Sequence, residues 1–374
     1  MSSAADIEPA LQRLLDDTLA HNRAQCGQPG SDQLIPGIQL HLEAPALGLS
    51  WGGSVGSITL QGNEPLSPQH PVRIASVSKT YVAAAILRLW EQQALDLDVG
   101  CDRYLSPAHV ALLHQGGYRP QAISLRHLLT HTSGLVDYAD SPEFADAVSQ
   151  QPQRPWTRTE QLHLAMRAGE SYGPPGSVYR YSDTGYILLG EVIEQVSGQT
   201  LGQALRNLLN YPGLGLNHTW LELSESPPRH SPLRTHQYLG SQDTYAIHPA
   251  FDSYGGGGLI ATVSDMALFM QALFKGQVYA QPSTLSEMLS TVAAPSGGPE
   301  AYGSAQQIPG TYRLGIDGGE TGQLFAHAGF FGTYAAYAPH ADIALGLSLN
   351  QHYASQALQS LRAAVLSLLG ATDE

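Results

Sequence analysis

Strand-like segments stand near both ends of this 374-residue chain, and a long, mainly helical stretch separates them. Near the beginning and near the end, short segments alternate polar and apolar residues or run apolar between Gly, Pro and Asn, which predicts β-strands. These segments are IPGIQLHLEAP, LGLSWGGSVGSITL and PVRIAS near the beginning, and LFAHAGFFGTYAAYAP and ADIALGLSLN near the end. From about residue 92 to about residue 250 helical patterns such as SLRHLLTH and DTGYILLGEVIEQVSG dominate. The two ends of the chain are therefore expected to form one lobe, with a helical insertion between them.

Helical patterns also occupy the two termini, over about residues 6–25 and in the last segment, ASQALQSLRAAVLSLLG. Together these elements predict an α/β (α+β) lobe built from residues 1–91 and 251–374, and a mainly helical lobe built from residues 92–250. The chain length agrees with two lobes, since about 150 residues per domain is usual. The two lobes are expected to work as one unit, with a binding cleft between them.

The composition limits the kinds of partner. Only 13% of the residues are charged, and 18 basic against 32 acidic residues give a net charge of −14. Such a surface repels nucleic acids and anionic membranes, so the partner is expected to be a small molecule that is neutral or cationic. No apolar run is long enough to span a membrane and no export signal is visible, which favours a cytoplasmic protein unless a leader has been removed. Cys26 and Cys101 are expected to stay reduced in that compartment.

One of the only two lysines lies at the start of a predicted helix. The segment RIASVSKTYVAAAILRLW, residues 73–90, has an amphipathic pattern and contains Lys79. Since the chain has 18 basic residues, the other 16 are arginines, and a plain positive charge is almost always supplied by arginine here. Unlike arginine, a buried lysine can release its proton near neutral pH. Lys79 is therefore a candidate base.

Ser76 stands three residues before Lys79, which places the two side chains on one face of a helix. At the N-terminus of the predicted helix over residues 76–91, the helix dipole disfavours the ammonium form, and free backbone N–H groups can stabilise an oxyanion beside the serine. This arrangement would activate Ser76 as a nucleophile. The alternative is that Ser76 or Ser78 only caps the helix and that Lys79 lies in solvent, because a Ser-x-x-Lys pattern alone is short.

Two further fragments follow in the chain. YRYSDTGY places Tyr181 on a turn before a helix, with Asp183 two residues later, and HAG, residues 327–329, begins an apolar, strand-like stretch. These fragments, in this order and spacing, resemble the motifs of the serine β-lactamase and DD-peptidase superfamily, especially its class C-like branch, with which family VIII esterases and D-aminopeptidases are grouped. LLTHTSGL and GGGGLIATVSDMALFM add to the resemblance, which covers nearly the whole chain.

The resemblance implies a fold and a set of roles. The fold would be an antiparallel sheet flanked by the N- and C-terminal helices, with an all-helical lobe and the active site in the cleft between them. Ser76 would be the nucleophile, Lys79 its proton acceptor, and Tyr181 a second proton shuttle whose pKa the nearby ammonium lowers. The backbone N–H groups of Ser76 and Phe330 would form the oxyanion hole.

The same resemblance places the substrate beside Asp183 and beside the strand edge formed by His327, Ala328 and Gly329. Each of these residue types also has an ordinary structural use. Taken alone, Tyr181 would be read as a packed turn tyrosine and His327 as a core histidine.

Two positions depart from the family pattern. Asp183 stands where the family usually has Asn, whose amide can donate to a substrate carbonyl, whereas an ionised Asp only accepts. Asp183 could pair with Lys79, cap the helix that starts there, or bind a cationic group of the substrate. In YRLGID, residues 312–317, Asp317 takes the place of an arginine that binds a substrate carboxylate in carboxypeptidase members. Both changes favour substrates without a free carboxylate.

Other patterns are interpreted as structural. Ser50 and Ser54 each lie within a Gly-x-Ser-x-Gly string, but both strings fall in a Gly-rich hairpin rather than at the strand-to-helix turn of an α/β-hydrolase. His127 and His131 have the spacing of a zinc pair, but the sequence lacks the glutamate and the nearby third ligand of such a site. The GGGG run at 255–258 lacks the following Lys-Ser or Lys-Thr of a phosphate loop and is expected to let the backbone pass close to the cleft.

These patterns predict a serine hydrolase that cleaves an ester or amide through an acyl-enzyme on Ser76, without a metal or an organic cofactor. An esterase or a D-amino-acid peptidase or amidase is favoured. The alternatives are a DD-carboxypeptidase, a β-lactamase, or a member that keeps the fold as a binding or scaffold protein. The expected partner is a small ester, an amide or a short peptide, and the sequence leaves the oligomeric state open.

Overall fold

The structure is a computed structural model that describes residues 4–291, 312–318 and 323–371. In chain order its helices are α1 (Ala4–Gln25), α2 (Ser78–Glu91), α3 (Pro107–Gln115), α4 (Leu125–Leu129), α5 (Pro142–Gln150), α6 (Arg158–Arg167), α7 (Asp183–Ser197), α8 (Leu201–Leu208), α9 (Val263–Phe274), α10 (Pro282–Met288) and α11 (Ser355–Leu368). Its strands are β1 (Gly37–Ala44), β2 (Leu49–Gly56), β3 (Val72–Arg73), β4 (Trp220–Leu221), β5 (Tyr238–Leu239), β6 (Gln242–Asp243), β7 (Leu259–Ala261), β8 (Phe325–Gly329), β9 (Thr333–Ala338) and β10 (Ile343–Ser348).

The two ends of the chain share one antiparallel sheet with the strand order β2-β1-β10-β9-β8. β1, from the first part of the chain, pairs with β10, from the last part, in a register that places Gln39 opposite Ser348. β8, β9 and β10 form a meander in which β8 is the edge strand. The strand signals at both ends of the sequence are confirmed.

Residues alternate between the two faces of this sheet, as the pleat of a strand requires. Tyr334 and Ala336 of β9 pack into a core with α1 and α11, whereas Ala335 and Tyr337 face a second core that contains α2 and α9. Both faces of the sheet are therefore covered by helices. The predicted α/β (α+β) class, with terminal helices flanking an antiparallel sheet, is confirmed.

The segment over residues 92–250 contains the helices α3 to α8 and the short strands β4 to β6. β4 pairs with β7, and β7 pairs with β3, so that a small three-stranded sheet connects this segment to both chain ends. Ser124 caps α4, because its side chain accepts the backbone N–H of His127. The division into two lobes at residues 91 and 251 stays a prediction.

Two further expectations concern membranes and thiols. Among the described residues, the helices are too short or too polar for any of them to cross a membrane. Cys26 is exposed and Cys101 is buried, and both are free thiols.

Candidate active site

Ser76 lies on a short 3-10 helix, Ala75–Val77, that leads directly into α2. The preceding residue, Ala75, has a φ of +47°, in the left-handed region that a residue with a Cβ adopts at a cost of about 1 to 3 kcal/mol. Strain of this kind is concentrated at functional sites. Ser76 is partly exposed between buried neighbours, and neither Ser76 nor Ser78 caps α2 with its side chain. The alternative of a mere capping serine is therefore wrong.

Lys79 is fully buried on the first turn of α2. Its Nζ lies 3.0 Å from Ser76 Oγ and 2.6 Å from the carbonyl oxygen of Gly256, and it forms an ion pair with Asp183. The three N–H donors of an ammonium thus face three acceptors. The alternative of a solvated helix lysine is wrong, and the GGGG run passes along the site as predicted.

Tyr181 comes from the turn before α7, a helix that Ser182 caps. The Tyr181 hydroxyl is hydrogen-bonded to Ser76, and Lys79 Nζ lies 4.9 Å from the centroid of the tyrosine ring. Burial raises the pKa of Tyr181 well above its usual range, and the charge of Asp183 adds to this, while the hydrogen bond with Ser76 opposes it. The expectation that the lysine lowers this pKa is therefore wrong in direction, because burial is the dominant effect.

Asp183 is the first residue of α7, and its side chain is 19% exposed. A carboxylate in this position is stabilised by the helix dipole. The backbone N–H of Asp183 donates to Asp137 Oδ2 at 2.7 Å, and its side chain pairs with Lys79. Of the three alternatives for Asp183, pairing with Lys79 is confirmed. Binding of a substrate cation stays a prediction.

Two more carboxyl groups lie beside this ion pair, and sequence reasoning missed both. Asp137 accepts backbone N–H groups at the start of α7, yet burial and then the charge of Asp183 raise its pKa to about 8. Asp252 lies against the glycine run, since a Cβ at Gly257 would come within 1.8 Å of Asp252 Oδ2. Burial and then the charge of Asp183 raise the pKa of Asp252 to about 7, whereas Lys79 lowers it. Three carboxyl groups therefore share this site, and Asp137 and Asp252 keep protons near neutral pH, so that Asp183 supplies the carboxylate paired with Lys79.

His327 lies on β8 with its ring buried. Its Nδ1 is 2.8 Å from the carbonyl oxygen of Ala328, so this nitrogen carries the proton, and Nε2 accepts a hydrogen bond from the Tyr312 hydroxyl at 3.0 Å. Burial and then the charge of Lys79 lower the pKa of His327 to about 3. The ring is thus neutral across the usual pH range, and its centroid lies 6.5 Å from that of Tyr181.

The end of β8 packs against the turn that carries Ser76. Thr333 Oγ1 donates to the carbonyl oxygen of Ile74 at 3.0 Å, and a Cβ at Gly329 would lie 2.4 Å from that oxygen, which leaves room for glycine alone. Phe330 follows Gly329 directly, so its backbone lies next to this turn. The role of the Ser76 and Phe330 N–H groups as an oxyanion hole stays a prediction.

Asp317 extends the sheet beyond the edge strand β8. Its N–H donates to the carbonyl of Ala326 at 2.9 Å, and its carbonyl accepts the N–H of Ala326 at 2.8 Å. This pairing brings the segment over residues 312–317 next to β8, and so places Tyr312 against His327. Sequence reasoning singled out this segment for Asp317 and missed the contribution of Tyr312.

The two serines within Gly-x-Ser-x-Gly strings have structural positions. Both lie on β2, not at a strand-to-helix turn. The Ser50 hydroxyl donates to Glu43 at 2.8 Å, and the Ser54 hydroxyl donates to the carbonyl of Leu66 at 2.8 Å. Their position on a strand therefore argues against a role as nucleophile, as the sequence does.

His127 and His131 hold different parts of the backbone. His127 Nδ1 accepts the N–H of Ser124 at the cap of α4, whereas His131 Nδ1 accepts the N–H of Ser182 at 3.1 Å. The ring of His131 lies 4.2 Å from that of Tyr181, centroid to centroid, and burial lowers the pKa of His131 well below its usual range. His131 therefore supports Tyr181 as a neutral, packed ring.

The chain resembles known proteins over most of its length. The model of the Beta-lactamase family matches residues 48–369. Penicillin-binding protein 4* of Bacillus subtilis is 25% identical over 339 residues, which are 85% of this chain and 69% of that protein. Esterase EstB of Burkholderia gladioli is 28% identical over 261 residues, 62% of this chain and 63% of that protein.

A solved structure is similar over almost the whole chain. D-amino acid amidase from Ochrobactrum anthropi SV3, complexed with D-phenylalanine, matches with a TM-score of 0.76 over 98% of this chain and 99% of that one, at 22% identity. This likeness shows the shared fold. Because the family model covers most of the sequence, the chain belongs to the Beta-lactamase family, in the superfamily of serine β-lactamases and DD-peptidases, and is a serine hydrolase.

Proposed function

We propose that the protein hydrolyses an ester or an amide through an acyl-enzyme on Ser76, with Lys79 and Tyr181 moving the protons. The observation that carries this proposal is that one partly exposed hydroxyl, Ser76 Oγ, is hydrogen-bonded to Lys79 Nζ at 3.0 Å and to the Tyr181 hydroxyl. An activated serine needs an adjacent group that accepts its proton. A binding or scaffold protein has no use for such an arrangement.

In the proposed reaction, Ser76 Oγ forms a bond to the acyl carbon while its proton passes to Lys79, which hands one of its own protons to the paired carboxylate of Asp183. The bond to the leaving group breaks, and the leaving group takes a proton from the Tyr181 hydroxyl, which regains one from Lys79. Water then attacks the acyl carbon through the same groups in reverse and restores Ser76. Because burial raises the pKa of Tyr181, the side chain stays a phenol and suits the donor role. The N–H groups of Ser76 and Phe330 would bind the oxyanion.

The acidic site favours a substrate that is neutral or cationic beside the reacting carbonyl. The Asp183 carboxylate lies next to Lys79, and the whole chain carries a net charge of −14, so an approaching carboxylate meets like charge. We therefore propose that the edge of β8 at His327, Ala328 and Gly329 takes the ester or amide of an amino acid with a free amine. The relatives include an esterase and a D-amino acid amidase, which supports this substrate class.

Mass spectrometry after incubation with a small panel tests the proposed function. The panel holds p-nitrophenyl acetate and butyrate, a D-Ala-D-Ala peptide, a D-amino-acid amide and a penicillin. We expect a covalent adduct on Ser76, and the compound that forms this adduct identifies the substrate class. The Ser76→Ala protein is the control. An adduct on another residue, or no adduct with any compound, would contradict the proposal.

Asp183→Asn is expected to shift the preference from substrates with a free amine towards N-acetylated ones. Asparagine removes a negative charge and supplies an amide donor for a substrate carbonyl. The ratio of kcat/KM for a D-amino-acid amide to that for its N-acetylated counterpart should fall about tenfold, the scale of one charge-assisted hydrogen bond. The ratio is compared because loss of the ion pair with Lys79 lowers both rates.

Asp252→Asn is the matched control for this measurement. It removes a carboxyl group from the same site but leaves the ion pair between Asp183 and Lys79 in place. An equal change of the ratio in both variants would mean that the general negative charge sets the preference. An unchanged ratio in Asp183→Asn would mean that Asp183 serves only as the partner of Lys79.

A further inference from the structure

Three aromatic rings form an exposed surface beside the turn that carries Ser76. We call Phe330, His352 and Tyr353 the aromatic face. Phe330 is 46% exposed and Tyr353 is 51% exposed, although most large apolar side chains of the described residues are buried. Leaving such rings in water forgoes about 25 cal/mol for every Å² of apolar surface, so their exposure needs a reason.

The rings of the aromatic face are packed against one another. The ring centroids of Phe330 and His352 are 3.9 Å apart in a stacked arrangement, and those of His352 and Tyr353 are 4.5 Å apart, edge to face. The Nδ1–H of His352 donates to the carbonyl oxygen of Phe330 at 2.6 Å, which ties the two residues together. Burial lowers the pKa of His352, so its ring is neutral and adds apolar surface rather than charge.

The backbone below the aromatic face is held by a buried amide. Gln351 is fully buried, and its Nε2 donates to the carbonyl oxygens of Leu34 at 3.0 Å and Gly240 at 2.9 Å. Its Oε1 accepts the N–H groups of Gly240 at 3.0 Å and Tyr353 at 3.2 Å. All four bonds suit the donor and acceptor capacity of one amide. The backbone that carries His352 and Tyr353 is therefore held in place before any ligand arrives, which lowers the entropy cost of binding.

The position of Phe330 connects the aromatic face to the reaction. Phe330 directly follows Gly329, whose backbone touches the carbonyl of Ile74 two residues before Ser76. The aromatic face and the nucleophile are thus linked through one backbone contact, between Gly329 and the turn that carries Ser76. This continuity with the nucleophile favours a part of the substrate as the occupant of the face.

We propose that the aromatic face is a substrate subsite that takes a phenyl or similar planar apolar group of the ester or amide cleaved at Ser76. Stacked and edge-to-face contacts of aromatic rings add to the gain from buried area. The inference rests on the proposed function and deepens it, because it names the group next to the scissile bond. A charged or small aliphatic group would leave the rings exposed and gain nothing from them.

Rates with two matched substrate pairs test the subsite. The first pair varies the acyl side, with phenylalanine amide against alanine amide, each in both enantiomers. The second pair varies the leaving group, with alanine benzyl ester against alanine ethyl ester. We expect wild-type protein to prefer the phenyl member of at least one pair by about tenfold in kcat/KM.

Substitutions in the aromatic face should remove this preference. Phe330→Ala is expected to lower the phenyl preference about tenfold, and Phe330→Leu, which keeps apolar bulk without a ring, should lower it by less. Tyr353→Ala should lower it while leaving the rates of the small members unchanged. Leu368→Ala is the control, because this 37% exposed leucine lies on α11, which packs with α1 on the face of the main sheet turned away from α2.

The outcomes separate the subsite from the proposed function. If hydrolysis proceeds but the phenyl preference is absent, or is the same in Phe330→Ala and wild type, the subsite is wrong and the function stands. If the variants change the oligomeric state in sedimentation and not the preference, the aromatic face is an interface between copies of the chain. If no ester or amide of the panel acylates Ser76, both proposals fail together.

Discussion

Ser76→Ala is expected to lower kcat by about four orders of magnitude or more, because loss of a covalent nucleophile removes the acyl-enzyme route. The fold should remain intact. Ser76 is partly exposed and contributes no buried apolar surface, so its substitution should cost less than about 1 kcal/mol and move the unfolding temperature by less than about 3 °C. Steady-state kinetics on the best substrate of the panel, together with thermal unfolding followed by circular dichroism, measure both effects.

Ser50→Ala and Ser54→Ala are the matched controls for the nucleophile. Both serines lie on β2 and donate to oxygens of Glu43 and Leu66, and we expect both variants to keep wild-type kcat. Activity of Ser76→Ala within tenfold of wild type would mean that the nucleophile is elsewhere. A large loss of activity in either control would reopen the assignment.

Lys79→Arg is expected to be nearly as damaging as Lys79→Ala, with a loss of about a thousandfold in kcat/KM. Arginine keeps the positive charge but does not release its proton in proteins, and general acid–base groups usually contribute about 10²- to 10⁴-fold. The larger guanidinium also has to fit a site in which Lys79 is fully buried and contacts Ser76, Gly256 and Asp183. Unfolding temperatures measured beside the kinetics separate loss of chemistry from loss of fold.

Lys275→Arg provides the same exchange at the only other lysine of the chain. Lys275 is partly exposed and pairs with Asp342, where a guanidinium can replace an ammonium, so we expect no change in activity. If Lys79→Arg kept most of the activity, Lys79 would serve as an electrostatic anchor and Tyr181 would become the better candidate for the base. Tyr181→Phe then decides the role of the phenol, since loss of one hydroxyl should lower kcat far more than it raises KM.

The elements that sequence predicted well are those whose signal is local. The period of two along ADIALGLSLN corresponds to β10, and the amphipathic segment with Lys79 corresponds to α2, because each pattern reports which side of one element is buried. Ser76, Lys79 and Tyr181 were found for the same reason, since their order and spacing are visible along the chain. The structure brings all three side chains into contact.

No local pattern in the sequence predicts the charge pairs and the pKa shifts of the site. Asp183 is separated from Lys79 by more than a hundred residues in the chain. Only the folded structure brings the two side chains together and so shows that Asp183 pairs with Lys79. Asp252 offered one hint, its position three residues before the GGGG run, but only the folded backbone places it beside the lysine. The pKa of Tyr181 moved opposite to the expectation, because the extent of burial depends on the whole surrounding structure.

The sequence by itself determined which elements form, that the two ends of the chain carry the strands, and which serine, lysine and tyrosine belong together. The tertiary structure decided what surrounds them: the carboxyl groups around Lys79, the neutral His327 held by Tyr312, and the aromatic face beside Ser76. The physical reason is that hydrophobic periodicity depends only on residues that are neighbours in the chain. Charge, burial and ring contacts act through space, between segments that meet only after the chain has folded.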